Sequence, residues 1–168
     1  GVERTLRTTP TRLGVFESPT NPVTKVADIE ALTRLAQAHG ALTVMDNTFA
    51  GMHQHGQYPV DIFIHSLTKY ASGAGDVMGG AVIARSDIIR SLRGEFTNLG
   101  GILDTHAALM IARGIKTYYL RYAAQSDAAG RIAQMMEAHT GVAKVHYPGL
   151  HGHLQHELAR RKMEHFGT

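Results

Sequence analysis

The sequence predicts an α/β domain built on a mostly parallel sheet. Three observations carry that prediction: apolar runs of strand length at 13–17, 41–45, 61–65 and 80–84, a helix-period segment between the first two, and polar residues just past the strand ends. Strands that alternate with helical segments imply crossover units, and in such sheets ligands bind outside the carboxyl ends of the strands.

The elements follow in order. Leu13 to Glu17 is an apolar run that meets Ser18-Pro19-Thr20-Asn21-Pro22, where two prolines bracket turn formers, so a strand delivers a rigid loop. From Val26 the apolar positions Ile29, Leu32, Leu35 and Ala36 recur at helical spacing; Asp28 suits the first turn and Gly40 the stop. Ala41 to Met45 runs into Asp46-Asn47-Thr48, and Asp61 to His65 runs into Ser66-Leu67-Thr68-Lys69-Tyr70. Gly80 to Ala84 follows a glycine-rich turn. From Asp104 to His139 helical spacing predicts two long helices meeting near Tyr118. Lys144 to Leu150 reads as a short strand and turn, and His156 to Phe166 as a last amphipathic helix.

The 168 residues suffice for one globular domain or one large piece of a bigger protein. Apolar types make up 43% and charged types 18%, the balance of a packed domain and not of a disordered chain. No run approaches the roughly 20 apolar residues of a membrane span, and no signal-like start is present, so a cytoplasmic location and no membrane partner are expected. The absence of Cys excludes disulfides, thiolate metal sites and a Cys nucleophile. The net charge of +3 is small and scattered, Trp is absent, and no basic stripe or stacking platform points to nucleic acid. The abrupt ending at Gly167-Thr168, with no closing element behind it, suggests a piece of a longer chain.

Three features converge on one crevice: Lys69 after a strand, Asp46 after the neighbouring strand, and the hydroxyls of Ser66 and Thr68. Pyridoxal 5'-phosphate needs a lysine amine for its Schiff base, an acidic partner for the pyridine nitrogen, and neutral donors around its phosphate. The four residues supply those groups. Ser66 and Thr68 are two apart, so on an extended chain both hydroxyls face the same way. A carboxylate at Asp46 favours a protonated ring, and Lys69, once free of the cofactor, is placed as a general base.

The segments Glu17-Ser-Pro-Thr-Asn-Pro22, Val44-Met-Asp-Asn-Thr48, His65-Ser-Leu-Thr-Lys-Tyr70 and Gly73-Ala-Gly-Asp-Val-Met-Gly-Gly80 resemble the Cys/Met metabolism family of pyridoxal phosphate enzymes. Leu99 to Thr105, Ala112 to Thr117 and Val145 to Leu150 extend the resemblance over nearly the whole chain. That group includes cystathionine gamma-synthase, the cystathionine lyases, methionine gamma-lyase and O-acetylhomoserine sulfhydrylase.

The resemblance implies the aspartate aminotransferase-like fold (fold type I). Residues 1–115 would form the later part of the cofactor domain, and 116–168 the connecting helix and the start of a C-terminal domain. It carries Lys69 over as the Schiff-base lysine, Asp46 as the partner of the ring nitrogen, Ser66 and Thr68 as phosphate contacts, and Asn21 as a ligand of the phenolic oxygen. It also implies a homotetramer of tight dimers and an amino-acid substrate altered at its beta or gamma carbon. Gly73-Ala74-Gly75-Asp76 departs from the G-H-S-D common in the family. The family's upstream phosphate loop, ring-stacking tyrosine and carboxylate-binding arginine lie outside this sequence.

Other readings of the same residues are weaker. Ser66-Leu67-Thr68-Lys69 spells S-x-x-K, but a strand precedes it and the S-D-N and K-T-G partners of serine beta-lactamases are absent. Met78 stands where a dinucleotide fingerprint needs its third glycine. His151, His153 and His156 lack a helical H-E-x-x-H arrangement and read as a solvated turn, and Met110, Met135 and Met136 read as core filler. The alternative function is a catalytically inactive scaffold of the same fold.

Overall fold

The computed structural model describes residues 1–167, apart from the side chain of Gln54. One sheet holds β1 (Leu13–Glu17), β2 (Leu42–Asp46), β3 (Ile62–Ser66) and β4 (Gly80–Ala84), in that order. β1 with β2 and β2 with β3 pair in parallel, whereas β4 runs antiparallel to β3. No crossover helix separates β3 from β4, so the chain returns in the opposite sense through the glycine-rich loop.

α2 (Ile29–Ala38), the first of the large helices, follows the short α1 (Val2–Thr8) and β1. Asp28 caps α2 by accepting from the Ala31 amide at 3.0 Å, and Gly40, at φ 68°, takes the left-handed turn that ends it. Its buried face, Ile29, Thr33 and Ala36, covers one side of the sheet. There Ile29, Met45, Tyr58 and Phe63 form a core, flanked by Phe16 and Val60. Burying each large apolar side chain there is worth about 1.5–3 kcal/mol.

The opposite face of the sheet carries Val15 and Val44 in register, then Glu17, Asp46 and Ile64. α3 (Ser86–Leu99) packs against β4, and Val15 remains 66% exposed. Two further helices, α4 (Thr105–Ile115) and α5 (Tyr118–Glu137), match the expected pair that meets near Tyr118. Asp104 caps α4 through the amides of His106 and Ala107, both at 2.9 Å. Tyr118 and Tyr122, one turn apart on α5, stack with ring centroids 5.5 Å apart. Tyr118 Oη accepts from the Met52 amide and Tyr122 Oη donates to the Phe49 carbonyl, each at 2.8 Å, which ties α5 to the loop after β2.

Several expectations need correction. α1 and α3 have no counterpart in the sequence-based reading, because neither buries a residue fully and Gly94 interrupts the second. Lys144 to Leu150 pairs with no strand; Tyr147 and Leu150 instead pack with Ala133 of α5, beside Val145 and Phe166. The final helix, α6 (His156–Lys162), stops four residues short of Phe166. His156 is not solvated: it is 7% exposed, and its ring nitrogen Nδ1 bonds the Pro148 carbonyl oxygen at 2.9 Å. Met135, 63% exposed, is not core filler, and Met136 is also exposed. No helix of the described residues is long and apolar enough to cross a membrane.

Gly114, near the end of α4, lies directly against the turn that follows β3. A Cβ there would overlap the carbonyl oxygens of Ala71 and Ser72, which are backbone atoms and cannot swing aside. Gly114→Ala should therefore destabilise the protein by about 1–3 kcal/mol, read as a lower urea midpoint at unchanged slope.

Candidate active site

The carboxyl ends of β1, β2 and β3 open on a cleft of about 530 Å³. Its wall includes Asn21, Asp46, Ser66, Thr68 and Lys69, so all five residues singled out from sequence come together. Glu17, Thr48, Tyr70, Gly73 and Gln125 complete much of the lining. Convergence of an amine, carboxylates and hydroxyls in one concave place is what a small-molecule site requires.

Each group is positioned by backbone geometry. Asp46 is the last residue of β2 and lies in register with Glu17 and Ile64. Its Oδ1 accepts from the Thr48 amide at 2.9 Å, a local turn that fixes the carboxylate. Thr48 Oγ1 in turn accepts from the Ser66 amide at 2.9 Å, and the Asn47 amide donates to the Ile64 carbonyl at 3.0 Å. The end of β2 is thus tied twice to the end of β3. Buried Asn47 anchors the loop further, its Nδ2 donating to the Gly51 carbonyl at 3.0 Å.

β3 ends at Ser66, and residues 67–72 form tight turns. The alternation that would aim Ser66 and Thr68 the same way therefore stops at Ser66. Thr68 Oγ1 instead accepts from the Gly79 amide at 3.0 Å, while the Leu67 amide donates to the Gly79 carbonyl at 2.9 Å. Lys69 stands exposed within this turn and its amine enters no ion pair among the described residues. Asn21 is held from the other side, its amide donating to Glu17 Oε2 at 3.0 Å.

Thr48 is the site residue that sequence reasoning missed. Its signal was present in the Asp46-Asn47-Thr48 turn, but the tie to Ser66 spans 18 residues and depends on strand register. A second cavity, about 590 Å³, shares Asp46 and Ser66 with the cleft and is otherwise largely apolar, lined by Ile64, Val82, Ile89, Leu92 and Phe96 among others. Lys69 does not line it, so the chemistry-bearing groups mark the smaller cleft as the candidate site.

Behind Asp46 lies a histidine pair. His65, buried on β3, meets His55 through their Nε2 atoms, so one ring donates while the other accepts. Burial first, then His55, push His65 down to about 4, against the opposing pull of Asp46. Burial likewise holds His55 below the ordinary imidazole range.

The donor set fits pyridoxal phosphate: one amine for the aldehyde carbon, a carboxylate for the ring nitrogen, and hydroxyl and amide donors nearby. The comparisons agree. A sequence profile of the family described as "Cys/Met metabolism PLP-dependent enzyme" matches residues 2–168, and the chain belongs to that family. It is 43% identical over 157 residues to a cystathionine beta-lyase of Lactococcus lactis, covering 90% of this chain and 41% of that protein. It is 45% identical over 155 residues to a canavanine gamma-lyase of Pseudomonas canavaninivorans, covering 90% and 39%. A crystal structure of cystathionine gamma-lyase from Lactobacillus plantarum, complexed with L-serine, superposes with a TM-score of 0.91 at 36% identity, covering 99% of this chain and 44% of that one. The family is pyridoxal phosphate-dependent, and the fold is fold type I. The chain spans less than half the length of these relatives.

His65 sets a pH dependence whose sign follows from its lowered folded value. Between the unfolded value of 6.5 and about 4 the unfolded chain binds the extra proton and the folded one does not, so stability is full above pH 6.5 and falls as the pH drops toward 4. Thermal melts should show a loss of up to about 3 kcal/mol from His65 across that window; His65→Gln should make the acid limb smaller without abolishing it, since His55 and His53 are lowered as well. A His65→Gln protein with the same acid limb would refute this assignment.

Proposed function

We propose that this chain carries the cofactor-bearing part of a transsulfuration-type enzyme, which makes or breaks a carbon–sulfur bond at the beta or gamma carbon of a sulfur amino acid or homoserine ester. One observation supports this above the others: Lys69, Asp46, Ser66, Thr68 and Asn21, drawn from three strand ends, line a single cleft. Pyridoxal phosphate, when bound, supplies the electron sink for charge developed at the substrate alpha carbon.

In this reading the Lys69 amine holds the cofactor's aldehyde carbon and, once released, moves a proton at the substrate alpha carbon. The Asp46 carboxylate, oriented by the Thr48 amide, keeps the ring nitrogen protonated. The Ser66 hydroxyl contacts the phosphate. Thr68 reaches the phosphate while its oxygen also braces the Gly79 amide. Asn21 holds the phenolic oxygen from the β1 side. Residues 1–115 form the later part of the cofactor domain; 116–168, whose last residue lies outside those described, form the connecting helix and the start of the next domain. The intact protein would be a homotetramer of tight dimers, as the family resemblance implies, and we propose a cytoplasmic location for it.

The competing reading, an inactive scaffold, draws on one fact, that the chain spans less than half the length of the two relatives compared above. Cofactor capture separates the two. Added pyridoxal phosphate should give a yellow band, and borohydride should fix one cofactor on Lys69, found by peptide mass spectrometry and absent in Lys69→Ala. A colourless protein, or labelling that survives Lys69→Ala, would favour the scaffold. Asp46→Ala should retain most cofactor affinity yet lose about 100-fold or more in turnover of cystathionine or an O-acylhomoserine. Equal losses in both would contradict its role.

A further inference from the structure

The turn that bears Lys69 is closed by its own amides: Lys69 N–H donates to the Ser66 carbonyl at 3.3 Å, Ser72 N–H to Leu67 at 2.9 Å, and Gly73 N–H to Lys69 at 2.9 Å. Its last carbonyls, those of Tyr70 and Ala71, meet a single guanidinium from α5, about 50 positions later in sequence. Arg121 Nη1 donates to Tyr70 O at 2.9 Å, and Nη2 to Ala71 O at 3.2 Å. The same Nη2 donates to Gly114 O at 2.8 Å, and Nε to Thr117 Oγ1 at 3.0 Å. One rigid fork therefore joins the Lys69 turn to the junction of α4 and α5.

Two glycines make room for this contact. A Cβ at Gly73, which sits at φ 73°, would overlap the guanidinium, and a Cβ at Gly114 would overlap the carbonyls of Ala71 and Ser72. Arg121 is half-buried and enters no ion pair among the described residues, so its charge is committed to carbonyl dipoles at the end of the turn. Lysine has one nitrogen and could not reach four acceptors spread over three segments.

We infer that Arg121 is a positioning residue for Lys69: its fork fixes the turn, and the turn fixes the direction from which the amine enters the cleft. The inference rests on the reading of Lys69 as the cofactor-bearing amine. A disordered turn would leave the lysine present but spread over many orientations, slowing its attack on an aldehyde without removing it.

The test uses the full chain and two readouts. The first is amide hydrogen exchange at Ser72 and Gly73; the second is the rate at which Lys69 is trapped by pyridoxal phosphate and borohydride, followed by peptide mass spectrometry. Arg121→Met should speed exchange at both amides by about tenfold or more, the loss expected for charge-assisted hydrogen bonds, with β2 and β3 unchanged. It should slow trapping by a similar factor, and Arg121→Lys should restore neither. Wild-type behaviour in Arg121→Lys, or faster exchange with unaltered trapping, would overturn the positioning role. If Arg121→Met fails to fold, Thr117→Val removes one anchor of the fork and should change both readouts in the same direction by less; no change in either would overturn the inference. Should wild-type Lys69 capture no cofactor, the functional reading fails, while the exchange comparison still decides whether Arg121 clamps the turn.

Discussion

The parallel pairing of β2 with β3 is the constraint on which the site depends. With Asp46 opposite Ile64, the carboxylate at the end of one strand lies beside the chain that leads to Ser66 and Lys69 two and five residues later. Thr48 secures that relation, binding the Asp46 carboxylate with its amide and the Ser66 amide with its hydroxyl. A slip of one residue would turn Asp46 to the α2 face, where Met45 and Phe63 now pack. The apolar core under α2 therefore acts on function through register: the same burial that stabilises the sheet sets which groups meet at its edge.

A second level of support comes from the helices that follow the sheet. α5 reaches the loop after β2 through Tyr118 and Tyr122, and the turn after β3 through Arg121. Two of the three strand-end segments that frame the cleft are thus braced by the same helix. This explains why α5 buries Tyr118, Tyr122 and Ser126 at four-residue steps while much of its remaining surface, such as Leu120 at 77% exposure, is open. It also gives the α4–α5 junction a purpose beyond connection, since Gly114 and Thr117 both anchor the guanidinium.

Much of this was legible in the sequence because the information is local. Strand positions followed from short apolar runs, the α2 boundaries from Asp28 and Gly40, and the candidate residues from polar groups just past each strand. The direction of β4 was not legible, because it depends on how a loop without a helix returns the chain. α3 was missed although Ile89, Leu92 and Phe96 fall on one face, because Gly94 breaks the run in its middle and no residue of the helix is fully buried. The orientation of Thr68 was misjudged because β3 ends two residues before it. Thr48 and Arg121 act across 18 and about 50 positions, separations at which spacing carries no signal until the register is known.

The central claim is that one small molecule bridges Lys69 and Asp46 across this cleft, and a crystal structure of the protein after pyridoxal phosphate has been reduced onto it tests that claim most directly. The account predicts continuous density from Lys69 Nζ to the cofactor, with the ring nitrogen within hydrogen-bonding distance of the Asp46 carboxylate. Density on another lysine, or a ring turned away from Asp46, would contradict it.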